Sequence, residues 1–276
     1  MARKYYSVRK AIKPLSLEVL KDLFGAVFSQ FKEKQLFDEA FGYTCVDAGP
    51  TKGTVGNDPN IYFLQRLRKR DLWPILEKLN AYSEDDIFDI IEILYDLVSE
   101  GTDGVYHSYG DCGMHYSKFN QPSGQAKFRA EINGILADYG EGYELAENGE
   151  IVEKADKGLE TLLTAKLPNL LETDAIRNVE EAIALFRRRH ATPIDRKNAV
   201  RMLADTFEVL RPKLKGVITT RDEGDLFNIA NNFAIRHSNE KQRTQYDRSL
   251  WLSWMFYFYL ATLHLALRRL EKPISH

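Results

Sequence analysis

The sequence predicts a mostly α-helical protein made of an N-terminal α domain with a small β-hairpin and a C-terminal helical bundle. Apolar residues recur at helical spacing in many segments, and capping-box patterns precede two of these segments. Beyond about residue 157 every periodic segment is of the helical type. We place the domain boundary at 155/156, giving domains 1–155 and 156–276.

Composition limits the classes of protein to consider. Hydrophobic residues make up 44% of the chain and charged residues 28%, which is an ordinary globular balance. Because 38 basic residues nearly cancel 40 acidic ones, net charge alone predicts no nucleic-acid partner. Two cysteines fit a reducing compartment, and the N-terminal stretch has no apolar core of the signal-peptide type. We therefore expect a cytoplasmic protein.

In the N-terminal domain, Ser16 is a candidate cap for the first helix. Residues 42–60 are rich in Gly, Pro, Asn and Asp and predict a long irregular loop. Ser83 is followed three residues later by Asp86, which is a capping-box pattern, and isoleucines and leucines then line one helix face.

The rest of this domain contains a second Gly-rich stretch, 100–124, which we expect to be irregular. A helix is predicted over 126–139. Residues 142–152 predict a short β-hairpin, because the Asn148-Gly149 pair suits a type I′ turn and apolar residues flank it.

The C-terminal domain is predicted to be helical throughout. Thr192 and Asp195 form a second capping box, with Pro193 at the first helical position. The predicted helices lie near residues 158–167, 174–190, 193–211, 222–236 and 246–270.

One segment, 250–267, has no charged residue and is just long enough to cross a membrane. Its Tyr and Trp residues run through the middle rather than the ends, which is atypical of a membrane span. We therefore interpret it as a core helix or a homodimer interface and do not expect a membrane anchor.

Histidine and cysteine side chains cluster in the second Gly-rich stretch, with His107, Cys112 and His115 in "YHSYGDCGMH". Cys-x-x-His spacing allows both side chains to reach one ion, and Cys45 in the other loop could complete a zinc site. Zinc is the one cofactor that the sequence suggests. Two alternatives are histidines bonded to backbone groups, and ligand contact by His107 and His115 without a metal.

A basic cluster, Arg187, Arg188 and Arg189, could bind the phosphates of a substrate. No aromatic residue interleaves these arginines, so a solvated helix end is the alternative.

The stretch "NNFAIRHSNEKQ" (231–242) places Arg236 beside His237 where a predicted helix ends. A guanidinium can clamp a phosphate and an imidazole can transfer a proton near neutral pH. These are the two functions that metal-independent RNA cleavage requires. Adjacent residues on a helix diverge, so Asn232, Asn239 and Glu240 are candidates to complete the site.

The sequence "NNFAIRHSNEKQ…YDRSLWLSWMFYFYLATLHL" resembles HEPN-type domains of bacterial abortive-infection and toxin proteins. That resemblance covers residues 158–270 and implies a dimeric, metal-independent RNase acting in defence. The family motif is an Arg, four to six residues, then a His, whereas this chain has Lys241, Gln242 and Arg243 where the His belongs. Arg236 and His237 are the catalytic candidates. The alternative is a non-enzymatic sensor module that binds a nucleotide, a nucleic acid or a protein.

Overall fold

The computed structural model describes residues 14–140, 142–155, 158–167, 173–214 and 247–271. Of these residues 62% are helical and 14% are in strands, so the prediction of a mostly α protein is confirmed. The chain forms two compact units, Met1–Val152 and Glu153–His276.

Unit 1 combines helices with two-stranded antiparallel sheets. Its elements in chain order are α1 (Leu17–Glu33), α2 (Asp38–Phe41), β1 (Tyr43–Cys45), β2 (Gly49–Thr51), α3 (Pro59–Leu67), α4 (Ile75–Lys78), α5 (Glu84–Leu97), β3 (Glu100–His107), β4 (Gly113–Asn120), α6 (Gln121–Leu136), β5 (Tyr143–Leu145) and β6 (Ile151–Glu153).

Helices α1, α5 and α6 supply most of the core of unit 1. Phe24, Ile91 and Phe128 are fully buried within it. The capping box that opens α5 is confirmed: the Asp86 N–H donates to the Ser83 hydroxyl (3.2 Å), and the Asp86 carboxylate accepts from the Ser83 N–H (2.9 Å). A reciprocal pair of this kind satisfies two of the N–H groups that a helix start leaves unbonded.

The prediction that residues 100–124 are irregular is wrong. Strands β3 and β4 pair antiparallel, and α6 begins at Gln121 rather than at 126. The strands show no apolar alternation because most of their side chains are exposed or half-buried on both faces. Gly101 is required beneath the Tyr116 ring, since a Cβ there would lie 2.1 Å from the ring. Residues 42–60 likewise hold the short β1–β2 hairpin within their irregular parts.

The hairpin predicted at 142–152 is present as β5 and β6, but its turn differs from the predicted type I′. Gly149 has φ +89°, whereas Asn148 is not in the left-handed region that this turn type requires. The Gly149 N–H donates to the Ala146 carbonyl (3.1 Å), so the turn closes one residue earlier.

Unit 2 is helical apart from the end of β6, with α7 (Glu160–Thr164), α8 (Thr173–Arg187), α9 (Pro193–Leu214) and α10 (Arg248–Glu271). Phe186 on α8 stacks on Phe256 of α10, with ring centroids 3.9 Å apart. The capping box of α9 is confirmed, because the Asp195 N–H donates to the Thr192 hydroxyl. The helix predicted at 222–236 lies outside the described residues.

Helix α10 contains the apolar segment 250–267. By length and composition it could cross a membrane, a test that the core helices of soluble proteins also pass. Leu260 and Leu263 are fully buried, and 56% of the most apolar window is buried. One face of α10 therefore forms the core of this unit.

Candidate metal centre

The structure brings together four side chains that could hold a metal ion. They are Cys45 at the end of β1, His107 at the end of β3, Cys112 just before β4, and His115 within β4. Their ligand atoms all lie within 4.8 Å of one another. Three of them come from one hairpin, and the fourth comes from a hairpin about 60 residues earlier in the sequence.

Strand register and a close approach between the two hairpins create this cluster. Pairing of β3 with β4 places His107 opposite Gly113 at the tip. Gly110, with φ +62°, lies against Val46 of the β1–β2 hairpin, and a Cβ at Gly110 would come within 2.9 Å of the valine. Glycine at this position therefore lets the two tips meet, and Cys45 can reach the other three ligands.

Two of the distances between ligand atoms are close to those around tetrahedral zinc. Cys45 Sγ lies 3.8 Å from His107 Nδ1, and Cys112 Sγ lies 3.1 Å from His115 Nε2. Zn–S bonds of about 2.3 Å and Zn–N bonds of about 2.0 Å imply ligand atoms about 3.3 to 3.8 Å apart. Because every pair of ligand atoms lies within 4.8 Å, shifts of at most about 1.5 Å bring all pairs to these distances.

Groups around the ligands are arranged as in metal centres. His107 directs Nδ1 at the cluster, and its Nε2 lies 3.0 Å from the Asp47 carboxylate. Hydrogen bonding of the outer ring nitrogen to a carboxylate fixes the orientation of a metal-binding histidine. The Ala48 N–H donates to Cys45 Sγ (3.4 Å). Hydrogen bonds from the Ala48 and Asp47 backbone lower the pKa of the Cys45 thiol, which favours the thiolate that binds metal.

Burial and charge also suit a structural ion. Cys45 is buried, while His107, Cys112 and His115 are half-buried, and both cysteines are free thiols. Two thiolates and two neutral imidazoles carry a charge of about −2, which a divalent cation cancels. The Tyr43 ring covers one side of His115, with centroids 4.8 Å apart.

The sequence gives no direct indication of the residues that support the four ligands. Asp47 and Ala48 follow Cys45 in "CVDAG", with Gly49 at φ +73° closing the turn. A cysteine followed by a tight turn is the signal that could have indicated N–H donors to its sulfur.

The arginine cluster does not form one exposed patch. Arg187 is buried, and its Nε donates to the Glu153 carbonyl (3.1 Å). Arg188 is exposed, while Arg189 is half-buried. Two of the three arginine side chains are therefore partly or wholly inaccessible to a phosphate in solution.

The remaining site predictions lie outside the described residues. These are the catalytic candidates Arg236 and His237 and their proposed helpers Asn232, Asn239 and Glu240. RNA cleavage by this chain stays a prediction.

A cleft of about 510 Å³ lies beside α1, α6 and the base of the β3–β4 hairpin. Its lining includes Glu100, Lys127 and Tyr116. Glu100 is already bonded to Lys127 and to Ser123, and these bonds hold the pKa of its carboxyl below the usual value. A carboxylate held in this way is a poor proton acceptor, so the metal cluster is the stronger candidate site.

Comparison with protein-family models, curated proteins and solved structures gives no match to this chain. Function is therefore argued from the geometry of the site.

Proposed function

We propose that this protein binds one zinc ion through Cys45, His107, Cys112 and His115, and that the ion has a structural role. The observation that carries the proposal is the convergence of two thiols and two imidazoles from separate hairpins within 4.8 Å. Thiolate and imidazole ligands favour zinc over magnesium or calcium, which prefer oxygen ligands.

The number of ligands decides between a structural and a catalytic role. Four protein ligands complete a tetrahedral shell, whereas catalytic zinc sites keep one position for water or substrate. We therefore assign no Lewis-acid chemistry to the ion.

The ion would stabilise two hairpins that have no hydrophobic core of their own. The buried core cluster of unit 1 contains no residue from 43–51 or 100–120. An isolated two-stranded hairpin is marginally stable in water, so it needs another source of stability. Zinc would supply that stability by joining the tips of the two hairpins.

Large apolar side chains close in sequence to the four ligands are exposed. Val46, Val105, Tyr106 and Tyr109 are 51%, 75%, 63% and 70% exposed. We infer that some of these side chains contact another molecule, since large exposed apolar groups are found at interaction surfaces. The site thus favours a non-enzymatic binding module, held in shape by zinc, over an enzyme active site.

Elemental analysis of the purified protein tests the proposal. We expect about one zinc ion per chain in the wild type and its loss in Cys112→Ala and His115→Ala. Ser108→Ala is the matched control, because it changes an exposed residue of the same tip that offers no ligand. Wild-type protein without zinc, or equal zinc in the ligand variants and the control, would contradict the proposal.

We also propose, from the HEPN resemblance, that the C-terminal unit acts on RNA in a bacterial defence or toxin system. The helical character of the described residues of unit 2 and its long aromatic helix α10 support this proposal. Incubation of total RNA with wild type, Arg236→Ala and His237→Ala tests it. Cleavage that is absent, or equal in all three proteins, would remove the proposed roles of these residues.

A further inference from the structure

The candidate metal centre contains both cysteines of the chain. Cys45 and Cys112 are free thiols, and their sulfur atoms lie within 4.8 Å of each other. The backbone next to Cys45 also lies close to Cys112, because Cys112 Sγ is 3.9 Å from the Thr44 carbonyl oxygen. The two sulfurs of a disulfide are about 2.0 Å apart, and rotation about the Cα–Cβ bonds can close the remaining gap. The two thiols are therefore placed to bond to each other.

The surroundings of the two sulfurs differ. Cys45 is 6% exposed, and the Ala48 N–H donates to its sulfur. Cys112 is half-buried, so a small oxidant in solution reaches its sulfur first. An accessible thiolate with a second thiol beside it is the arrangement that forms a disulfide on oxidation.

We propose that this centre is also a site of reversible oxidation by a peroxide, which releases the zinc. This inference rests on the zinc binding proposed above. Hydrogen peroxide transfers one oxygen atom to the Cys112 thiolate, which gives a sulfenic acid and a hydroxide. The Cys45 thiolate then attacks the sulfenic sulfur, so that the S–S bond forms and a second hydroxide leaves. In total the two thiolates lose two electrons, and the peroxide takes up two protons and becomes two water molecules.

Loss of both thiolates ends zinc binding. Zinc is bound by thiolate sulfur, and a disulfide offers no negatively charged sulfur. Only His107 and His115 would remain as ligands, and two imidazoles leave half of the tetrahedral shell empty. Disulfide formation therefore releases the zinc, and a thiol reductant together with zinc restores the centre. In the reducing compartment that the sequence predicts, disulfides are usually transient and redox-sensing, which fits a reversible site.

The oxidised protein should differ from the zinc-free reduced protein. The disulfide joins Cys45 at the end of β1 to Cys112 just before β4, so the two hairpins stay linked after the ion has left. Amide hydrogens of residues 43–51 should therefore exchange more slowly in the oxidised protein than in reduced protein treated with a chelator.

Peroxide titration of the zinc-loaded protein tests the inference. The zinc content is measured before the oxidant is added, and released zinc is then followed with a chelating dye. We expect complete loss of zinc, a cross-link between Cys45 and Cys112 in peptide mass spectra, and recovery of bound zinc after a thiol reductant and zinc are added. Met114→Leu is the matched control, because it removes a neighbouring oxidisable sulfur that is not among the four ligands. This variant should lose zinc as the wild type does.

The outcomes separate this inference from the proposal on which it rests. A protein that holds no zinc before oxidation contradicts the zinc binding and this inference together. Zinc that is bound at the start and retained in excess peroxide contradicts this inference alone. The same holds if zinc leaves while the cysteines become sulfinic acids or form disulfides between two chains, or if Met114→Leu keeps its zinc.

Discussion

Removal of zinc should open the two hairpins while the helices of unit 1 stay folded. The reason is that the hairpin residues 43–51 and 100–120 lie outside the buried core cluster, which α1, α5 and α6 dominate. The only attachments that chelation would remove are the bonds to the ion at the hairpin tips.

The size of the effect follows from the binding equilibrium. An ion present at a thousandfold excess over its dissociation constant stabilises the bound state by about 4 kcal/mol. If the hairpins open only when the ion leaves, their opening equilibrium should increase by about a thousandfold on chelation. Amide hydrogens that exchange through this opening should exchange faster by the same factor.

Hydrogen exchange followed by mass spectrometry, with and without a chelator, measures this directly. Peptides covering 43–51 and 100–120 should accelerate, and peptides from α5 and α6 should not. Cys112→Ala should exchange rapidly in the hairpins under both conditions. Unchanged hairpin exchange in the wild type, or equal acceleration of α5 and α6, would refute the reasoning.

Three further predictions concern the support of the centre, the core of unit 2 and the proposed RNA chemistry. Asp47→Asn should weaken zinc binding about 10- to 100-fold, because the carboxylate orients the ligand His107. Asp103→Asn on β3 is the control and should not weaken it, since the Asp103 carboxylate pairs with Lys118. Competition with a chelating dye measures both. Burial lowers the pKa of His264 in the folded chain, whereas a histidine in the unfolded chain has a pKa of about 6.5. Just below pH 6.5 the His264 imidazole is therefore protonated more fully in the unfolded chain than in the folded chain. The free energy of unfolding should therefore fall as the pH drops below about 6.5, and urea titrations should show a smaller fall for His264→Gln. If Arg236 and His237 cleave RNA without a metal, cleavage should persist in a chelator that removes the zinc, and its loss there would argue against that mechanism.

Local signals in the sequence predict the helices well. Ser83 with Asp86, and Thr192 with Asp195, fix two helix starts through bonds between residues three apart. Neighbouring residues set such contacts, so they can be recognised without knowledge of the rest of the fold.

The β3–β4 hairpin could not be predicted in the same way. Its pairing joins residues up to 20 apart in sequence, from Glu100 to Asn120, and its exposed strands carry no alternating apolar pattern. Gly101, which suggests a loop, is required by the Tyr116 ring that packs on it.

The candidate metal centre could be predicted only in part. His107, Cys112 and His115 lie close in sequence and were recognisable as ligands. The convergence of Cys45 depends on two hairpin tips meeting at Gly110, which spacing alone does not reveal.

X-ray absorption spectroscopy at the zinc edge tests the central claim most directly, because it identifies the atoms bound to the ion. We predict two sulfur neighbours at about 2.3 Å and two nitrogen neighbours at about 2.0 to 2.1 Å. A shell made only of nitrogen and oxygen, or a protein that carries no zinc, would contradict the account.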